Sequence, residues 1–457
     1  MSELTGMTAA PHLSIFTEEQ KQTVHAATLQ VLEQTGVRVA HGGARELLRA
    51  AGAAVGAENV VRIPADLVAR ALQTAPARVV LAGRGGARDI TLEGHNTYFG
   101  TGSDCPYILD WRTGERRSFT SGDMVEAMRL CDALPNLDFV MSVGLVADAP
   151  LGESFLHQFE IMLEHNRKPI VFTARDLQDM TAIYDLCTSA CGSEADFRAR
   201  PIAALYAEPI SPLTHGPDPV DKLLFAATHG VPAVYTPGIM TGGTAPVTVA
   251  GTLVTGNAEL LSGLVLSQLQ AAGAPFIYGG VFTSMDMASS VFLYGSPEFY
   301  LFNIALAEMA HHYRLPVFGT CGCSDAKVLD EQAAAEAAAS TLVATLSGAN
   351  LIHDIGYLES GLTACFELIV LVDELIGLAR RLEQGIGLSE EMLALGEIAA
   401  VGPGGHFLDR EHTVRHFRQE LWFPRLFDRR RLDAWNQDGA RPLGARLKAR
   451  VREILAG

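Results

Sequence analysis

Two short polar segments, 321–327 and 353–359, carry the side chains of this sequence that are best suited to chemistry. Histidine and carboxylate groups act as general acids and bases, lysine binds carboxylates, and paired cysteines bind zinc. The polar residues of the two segments include Cys321, Cys323, Asp325, Lys327, His353, Tyr357 and Glu359. We therefore expect one site in which His353, Glu359 and Asp325 are the catalytic candidates.

Each polar segment follows a short apolar run that predicts a β-strand, at 316–320 and at 350–355. The residues between them, 331–347, are rich in alanine and predict a helix. Asp330 is suited to cap the start of this helix, and Gly348 is suited to end it. In a parallel α/β fold such a strand–helix–strand unit brings both polar segments to one edge of the sheet, where binding sites form.

The same alternation of strand and helix extends from residue 96 to residue 385. The predicted strands are 97–100, 138–146, 169–174, 202–207, 232–236, 275–281, 316–320 and 350–355. A helical pattern follows each of them, and eight strands alternating with eight helices predict a closed TIM (β/α)8 barrel. The alternative is a doubly wound open sheet, which usually has fewer strands and a GxGxxG fingerprint that is missing here.

Both flanking segments are predicted to be helical. Residues 1–95 contain three short helical patterns and are interpreted as an N-terminal helical layer. Residues 386–457 are interpreted as a C-terminal helical extension that packs on the barrel or on a partner subunit. We therefore divide the chain into an N-terminal region, a catalytic barrel at 96–385 and a C-terminal extension.

Composition limits the partners and the compartment of the protein. The formal net charge of −17 argues against binding to nucleic acid or to an anionic membrane. The apolar stretch 260–282 is interrupted by polar residues, glycine and proline, so no membrane span is predicted. The seven cysteines form no regular framework, and no secretory pattern starts the sequence, so we expect reduced thiols and a cytoplasmic protein.

In a barrel, the loops that follow the strands crowd around one mouth, so their polar and aromatic residues are candidates for a binding pocket. Carboxylates beside aromatic faces suit a quaternary ammonium ion, which is attracted by ring quadrupoles and donates no hydrogen bond. Further candidates from these loops are Ser103, Asp104, Arg175, Glu208, Tyr235, Thr244 and Phe282. For each aromatic residue, an ordinary place in the core is the competing interpretation.

The cysteine pair Cys321 and Cys323 is a weak indication of zinc. Its spacing is short, and no second pair accompanies it, so no metal is predicted.

Several motifs of this chain resemble those of the trimethylamine methyltransferase superfamily. The resembling segments are 102–104, 113–117, 243–253, 257–259, 322–327, 348–353 and 356–363. This resemblance covers most of the chain. It implies a TIM barrel that transfers a methyl group from an amine to a cobalamin held by a separate corrinoid protein.

The resemblance is to one branch of that superfamily in particular. Members that act on trimethylamine carry pyrrolysine, whereas this sequence has only standard residues. It therefore resembles the non-pyrrolysine branch, whose members demethylate quaternary amines such as glycine betaine. A quaternary amine leaves as a neutral tertiary amine without needing a proton, so the main tasks of the protein are to bind and orient the substrate.

The resemblance and the loop positions together give each candidate residue an expected role. The residues expected to face the ammonium are Tyr235, Phe282 and Tyr357. Those expected to bind a substrate carboxylate are Arg175, Lys327 and His353. Those expected to orient these groups or to face the cobalamin are Ser103, Asp104, Thr244, Asp325 and Glu359. Glu208 is expected to line the substrate pocket.

The expected partners are a small quaternary amine, a corrinoid protein and a second copy of the chain in a homodimer. No tightly bound cofactor or metal is expected. Two other classes stay open at this point: a barrel hydrolase or lyase assisted by a metal, and a relative that binds an amine without turning it over.

Overall fold

The computed structural model describes residues 8–150 and 152–457. Its centre is a closed barrel of eight parallel strands, and the prediction of a TIM barrel is confirmed. The strands are β1 (Tyr98–Thr101), β2 (139–140), β3 (Ile170–Phe172), β4 (Ala203–Ala207), β5 (Ala233–Tyr235), β6 (Phe276–Gly279), β7 (Val317–Thr320) and β8 (Leu351–Ile355). Strand β2 is the weakest, because it joins its neighbours only through the parallel bridges Gly100–Phe139 and Val140–Ile170.

Eight helices alternate with the strands. They are α1 (Ser121–Ala133), α2 (Ser154–His165), α3 (Leu177–Cys191), α4 (Pro217–His229), α5 (Val249–Gln270), α6 (Pro297–Tyr313), α7 (Glu331–Ser347) and α8 (Phe366–Glu383). Helix α7 begins and ends as predicted, since Asp330 accepts a hydrogen bond from the amide of Ala333 and Gly348 is left-handed. Within the described residues, α5 is the helix long and apolar enough to cross a membrane, but most of it is buried in the protein.

A β-hairpin closes the end of the barrel at which the strands begin. Its strands, Val79–Leu81 and Ile90–Leu92, pair antiparallel, and their apolar side chains join the core inside the barrel. The barrel residues in this core include Phe139, Val171, Ala204, Val234, Ile277, Phe318 and Leu351. Because the hairpin closes this end, the opposite end, where the strands finish, is the entrance to the barrel.

The N-terminal region contains the predicted helices, which are Glu18–Gln30, Gly42–Ala51 and Ala65–Thr74. They pack mainly against α5. The region also contains short strands that were not predicted, Val37–Val39, Ala54–Val55 and Val60–Arg62, which form one sheet with Thr214–His215. Strands of two or three residues leave too short a pattern to be recognised in a sequence.

Two small sheets shape the loops around the entrance. Strands Gly238–Thr241 and Val281–Ser284 pair with each other in parallel. The other sheet consists of Tyr107–Leu109, Arg116–Ser118, Tyr357–Leu358 and Thr363–Ala364.

The C-terminal extension is helical, as predicted. Its helices are Glu390–Leu393, Leu395–Val401, Glu411–Glu420, Leu432–Gln437 and Leu443–Ala456. The last of these packs against α8 and α1, and the short strand Ile386–Gly387 pairs with Thr8–Ala9. The division of the chain into three folding units stays a prediction.

Candidate functional site

A cavity of about 600 Å³ opens at the end of the barrel where the strands finish. Residues that follow β1, β3, β4, β6 and β8 form most of its wall. The side chains that matter for its chemistry are Ser103, Asp104, Arg175, Tyr206, Glu208, Lys222, Tyr294, His353, Asp354 and Tyr357. A cavity of this size suits a small organic ligand.

Four carboxyl groups, those of Asp104, Glu208, Asp218 and Asp354, line this cavity. Three of them, Asp104, Glu208 and Asp354, interact with one another electrostatically. Burial raises the pKa of Asp104 to about 6, and the charge of Asp354 adds to the shift although nearby hydroxyl groups oppose it. Glu208 is exposed to the cavity, but desolvation by the surrounding protein raises its pKa, and the charges of Asp104 and Asp354 add to the shift. The three groups therefore repel one another, and a cation placed among them would relieve that repulsion.

Asp354 lies near the end of β8, where its φ of 70° is a conformation that aspartate and asparagine tolerate better than most residues. Its Oδ2 accepts a hydrogen bond of 2.7 Å from the hydroxyl of Tyr294. Its Oδ1 lies 3.2 Å from Nε2 of His353. Burial raises the pKa of Asp354 and lowers that of His353, so both groups are driven toward their neutral forms.

The other ring nitrogen of His353 fixes the orientation of the imidazole. Nδ1 lies 2.9 Å from the carbonyl oxygen of Gly319, so it carries a hydrogen and donates it there. Nε2 is therefore the nitrogen that faces Asp354, and the opposite charges of the two groups, when both are ionised, attract each other.

Tyrosines line the cavity between the carboxylates. The hydroxyl of Tyr206 donates a hydrogen bond to Glu208. The hydroxyl of Tyr357 and the Oδ1 atom of Asp104 are buried and have no hydrogen-bond partner among the described residues. Buried polar atoms without partners are rare in proteins, so these two atoms are positioned to interact with a ligand or with ordered water.

Gly102 makes the close approach of these groups possible. A β-carbon at this position would lie 2.1 Å from Oδ1 of Asp354 and 2.5 Å from the hydroxyl oxygen of Tyr357. No side chain fits there without displacing both groups. The close packing of Asp354 and Tyr357 therefore explains why the 102–104 motif begins with glycine.

Two cationic side chains, Arg175 and Lys222, also line the cavity. Nε of Arg175 forms an ion pair of 2.9 Å with Asp176, and its Nη1 donates a hydrogen bond to the carbonyl of Gly152. Nζ of Lys222 donates a hydrogen bond to the carbonyl of Ala174, and burial lowers the pKa of this lysine, while the charges of Asp218 and Glu208 oppose that shift. The cavity therefore contains both cationic and anionic side chains.

Half of the residues predicted for the site line this cavity. They are Ser103, Asp104, Arg175, Glu208, His353 and Tyr357. The other half, which lie outside the cavity, are Tyr235, Thr244, Phe282, Asp325, Lys327 and Glu359.

Tyr235 and Phe282, which were predicted to face the ammonium, lie outside the cavity. The ring of Tyr235 packs against Gly263 of α5, and its hydroxyl lies 2.8 Å from Nδ1 of His215. Tyr235 points outward from the barrel because successive residues of a strand face opposite sides, and Val234 faces inward beside it. Phe282 lies on the short strand Val281–Ser284, beyond the end of β6, and its ring packs against Gly256 of α5.

Asp325, predicted as a catalytic residue, and Lys327, predicted to bind a substrate carboxylate, also lie outside the cavity. The carboxylate of Asp325 accepts hydrogen bonds of 2.8 Å from the backbone amides of Tyr294 and Gly295. Its role is therefore to hold the chain segment that carries Tyr294 into the cavity. Lys327 is exposed, and its Nζ donates a hydrogen bond to the carbonyl of Asp325.

Glu359, predicted as a catalytic residue, and Thr244, predicted to face the cobalamin, also make their contacts outside the cavity. Glu359 forms an ion pair of 2.7 Å with Arg116. Partial burial is outweighed by the hydrogen bond from Thr363 and by Arg116, which hold the pKa of Glu359 below its usual range, so it is a poor proton donor. Oγ1 of Thr244 accepts a hydrogen bond from the amide of Met240 within a tight turn.

Several cavity residues were missed by the sequence reasoning. Asp354 adjoins the predicted His353 and could have been found as a carboxylate at a strand end. Tyr206 lies on β4, which is apolar throughout, so the sequence does not show which residues face inward. Lys222 and Tyr294 come from α4 and from the segment before α6, and no local pattern indicates that they reach the cavity.

The cysteine pair has no feature of a zinc site. Burial raises the pKa of Cys321 to about 12 and that of Cys323 well above its usual value, so thiolates are disfavoured there. Across residues 8–150 and 152–457, no group of three or more histidine, cysteine or carboxylate side chains converges as metal ligands would.

The fold and the cavity define a TIM-barrel enzyme with a polar pocket at the carboxyl ends of its strands. Residues 4–457 match the family model described as trimethylamine methyltransferase (MTTB). The chain therefore belongs to the trimethylamine methyltransferase family, and it is a methyltransferase.

Individual relatives match the chain over nearly its full length. It is 32% identical to trimethylamine methyltransferase MttB of Desulfitobacterium hafniense (strain DSM 10664 / DCB-2), over 97% of this chain and 89% of the relative. It is 30% identical to the glycine betaine methyltransferase of Desulfitobacterium hafniense (strain Y51), over 98% of this chain and 93% of that protein. The crystal structure of the Methanosarcina barkeri monomethylamine methyltransferase (MtmB) has the same fold, with a TM-score of 0.59 at 10% identity over 97% of this chain and 88% of that one.

Proposed function

We propose that this protein transfers a methyl group from a quaternary ammonium compound to the cobalt of a separate corrinoid protein. The observation that carries the proposal is the convergence of four carboxyl groups and three tyrosines on one cavity at the barrel entrance. Carboxylates and aromatic faces attract a cation that donates no hydrogen bond.

The raised pKa values fit a substrate whose charge disappears during the reaction. A quaternary ammonium is positive when it binds and becomes a neutral tertiary amine when it loses a methyl group. A site with permanently ionised carboxylates would stabilise the substrate more than the transition state and would slow the reaction. Asp104, with a pKa of about 6, and the pair of His353 and Asp354 can release protons when the cation binds and take them back as its charge is lost.

The corrinoid supplies a Co(I) nucleophile that accepts the methyl group. The task of this chain is then to hold the ammonium with one methyl group directed toward the entrance of the barrel. Tyr206, Tyr294 and Tyr357 provide walls that exclude water from the other methyl groups.

The two cationic side chains of the cavity support a substrate with a negative group at its far end. Lys222 and Arg175 would bind the carboxylate of a betaine, while Asp104, Asp354 and the tyrosines would bind its ammonium. Glycine betaine and related zwitterions are therefore the preferred substrate class. Choline, which has the same ammonium group but no carboxylate, is the compound with which they are compared.

The rim of the entrance supports docking of a protein partner. Nearly every strand from β3 to β8 is followed by an exposed large apolar side chain. These side chains are Leu177, Ile210, Val247, Met287, Val328 and Leu362. Exposed apolar groups around one opening are typical of protein interaction sites, and the corrinoid protein must approach this opening to receive the methyl group.

We also place the reaction in the cytoplasm, where the seven free cysteines would stay reduced.

An anaerobic assay with free cob(I)alamin tests the proposal. The protein is mixed with cob(I)alamin and, separately, glycine betaine, carnitine, proline betaine, choline and trimethylamine, and the visible spectrum is followed. We expect methylcobalamin to form with at least one quaternary amine. Asp354→Asn is expected to reduce the rate strongly, whereas Asp185→Asn, on the exposed side of α3, is the matched control.

Two results would contradict the proposal. One is methyl transfer from trimethylamine and from none of the quaternary amines. The other is the failure of every quaternary amine to bind in calorimetry, which does not depend on the corrinoid.

A further inference from the structure

A row of three cavities lies along one face of α8. In the order of the chain, the first has a volume of about 490 Å³, the second about 410 Å³ and the third about 360 Å³. Residues 370, 374, 377, 381 and 384, in α8 and at its end, line them, and this spacing of three or four residues places them on one helix face. Neighbouring cavities share lining residues, so they form one groove, called here the α8 groove. It is roughly 21 Å long at 1.5 Å per helical residue.

A second wall of the α8 groove comes from the C-terminal extension and is rich in arginine. Residues 418–452 contain ten basic and four acidic side chains, whereas the whole chain has a formal net charge of −17. The arginines of the second cavity are Arg380, Arg381, Arg418 and Arg425, and those of the first include Arg441 and Arg446. The groove is therefore a basic site on an acidic protein, and it attracts anions.

The carboxylates of the first two cavities are already engaged within the protein. Oε1 of Glu374 accepts hydrogen bonds of 2.8, 2.8 and 3.1 Å from the three successive backbone amides of 425–427. Asp373 accepts a hydrogen bond of 2.8 Å from a backbone amide, and burial raises its pKa. Glu453 forms an ion pair of 2.8 Å with Arg450. The other arginines of these two cavities therefore have no carboxylate of the groove as a partner.

Two guanidinium groups of the second cavity are available to an anion. Those of Arg418 and Arg425 form no hydrogen bond or ion pair with any described residue, and the Arg418 group lies 5.5 Å from the ring centroid of Phe417. Nε of Arg446 is buried and also lacks a hydrogen-bond partner within residues 8–150 and 152–457. Buried donors without partners are rare, and a guanidinium presents five N–H donors, so these groups suit an anion with many acceptor oxygens.

Two aromatic side chains, Trp422 and Phe423, line the second cavity beside these arginines. Arg429 covers the ring of Trp422, with 5.1 Å between the guanidinium carbon and the ring centroid. Phe423 is 55% exposed, and its ring meets that of Phe417 in a T-shaped arrangement. The exposed face of Phe423 can therefore stack on a ring of a ligand.

We propose that the α8 groove binds a small molecule that carries a chain of phosphate groups. The oxygens of one phosphate can accept hydrogen bonds from several arginines, whereas a carboxylate is matched by a single guanidinium. The second cavity has the size of a small-ligand site, and Arg425 lines the first cavity as well, so successive phosphates can occupy both. Inorganic polyphosphate and a nucleoside polyphosphate share this chemistry, and the nucleoside would add a ring for Phe423.

This inference does not depend on the proposed function. Among the described residues, none lines both the α8 groove and the barrel cavity. Binding of glycine betaine should accordingly be the same with and without a phosphate ligand in the groove.

Calorimetry of the full-length protein with inorganic tripolyphosphate and with ATP, both without magnesium, tests the site. We expect both ligands to bind and their affinity to fall as salt is added. Arg418→Gln and Arg425→Gln should each weaken binding by about tenfold or more, because a charge-assisted hydrogen bond is lost. Both side chains are exposed, so the variants should fold, and circular dichroism checks this. Arg431→Gln, at an exposed arginine outside the groove, is the matched control and should bind as the wild type does.

The comparison of the two ligands identifies the part of the molecule that is recognised. Equal affinities would assign the site to the phosphate chain alone, and tighter binding of ATP that Phe423→Ala removes would add the ring. Failure of both ligands to bind would overturn the proposal, as would binding that Arg425→Gln leaves unchanged. Binding that Lys222→Met abolishes would place the anion in the barrel cavity instead. A polyglutamate peptide that binds more tightly than tripolyphosphate would also overturn the proposal, in favour of an acidic segment of a protein.

Discussion

The affinity of the cavity for a quaternary ammonium ion should depend on pH through the ionisation of Asp104. Choline and tetramethylammonium carry the same charge at every pH, so any pH dependence of their binding must come from the protein. Asp104 has a pKa of about 6 in the free protein. A cation attracts its ionised form, so binding should be tight above this pKa and should weaken as the pH falls through it.

The expected size of the effect follows from that pKa. A carboxyl group with a pKa of about 6 is about 97% ionised at a pH of about 7.5 and about 9% ionised at a pH of about 5. Two unit charges roughly 5 Å apart at an effective dielectric constant of about 20 attract by about 3 kcal/mol, which keeps Asp104 ionised in the complex at both pH values. The affinity should therefore fall about tenfold between these two pH values, which corresponds to about 1.4 kcal/mol.

Calorimetry with choline provides the measurement, and Asp104→Asn provides the comparison. Asparagine has nearly the same shape and tolerates the φ of 72° at this position. The variant should bind choline more weakly at the higher pH and should lose less affinity on acidification, because only Glu208 and the pair of His353 and Asp354 still titrate. A wild-type affinity that is constant over this range, or stronger in acid, would refute the reasoning.

Three further predictions concern the same cavity. Gly102→Ala should abolish ammonium binding and cost about 1–3 kcal/mol of folding stability, since the added β-carbon overlaps Asp354. Gly122→Ala is the control and should be tolerated, because its β-carbon would have no neighbouring atom within 3.7 Å. Calorimetry measures the binding of each variant, and urea unfolding measures its stability. Lys222→Met should weaken glycine betaine binding by about tenfold or more and leave choline binding nearly unchanged, if the lysine binds the substrate carboxylate through a charge-assisted hydrogen bond; equal losses for both ligands would contradict this role. Asp104→Asn should increase the free energy of unfolding at neutral pH. The pKa of Asp104 rises from 3.8 to about 6 on folding, so the folded protein holds this proton more tightly than the unfolded chain. The stability that the protonated group contributes below a pH of 3.8 is therefore lost as the pH rises through about 6. The gain should be on the order of 2 kcal/mol after allowance for partial exposure, and it should vanish in acid, as urea unfolding at several pH values would show.

The fold could be predicted from the sequence because its strands and helices alternate regularly. Each barrel helix has 12 residues or more, and caps such as Asp330 and Gly348 mark where α7 begins and ends. The hairpin at 79–92 and the small N-terminal sheet could not be predicted. Their strands have three residues or fewer, and their pairing depends on the barrel against which they fold.

Half of the residues predicted for the site line the cavity, and two tyrosines show why the other half do not. Tyr206 on β4 lines the cavity, whereas Tyr235 on β5 points outward into the helices. Barrel strands are buried on both faces and are therefore apolar throughout, so no alternation of polar and apolar residues reveals which side chains face inward. The position of each loop after its strand predicted which segments meet at the cavity. The direction of each side chain depends on the register of the closed barrel, which the sequence does not show.

The hairpin at 79–92 has a consequence for the order of events in catalysis. It seals one end of the barrel, so a ligand enters and leaves the cavity through the opposite end. Under the proposed function the methyl acceptor docks on that same opening, so the amine must enter before the acceptor protein docks, and the demethylated product can leave only after it departs. Steady-state kinetics should accordingly show a compulsory order of addition, with a high concentration of the acceptor protein slowing turnover by trapping the product.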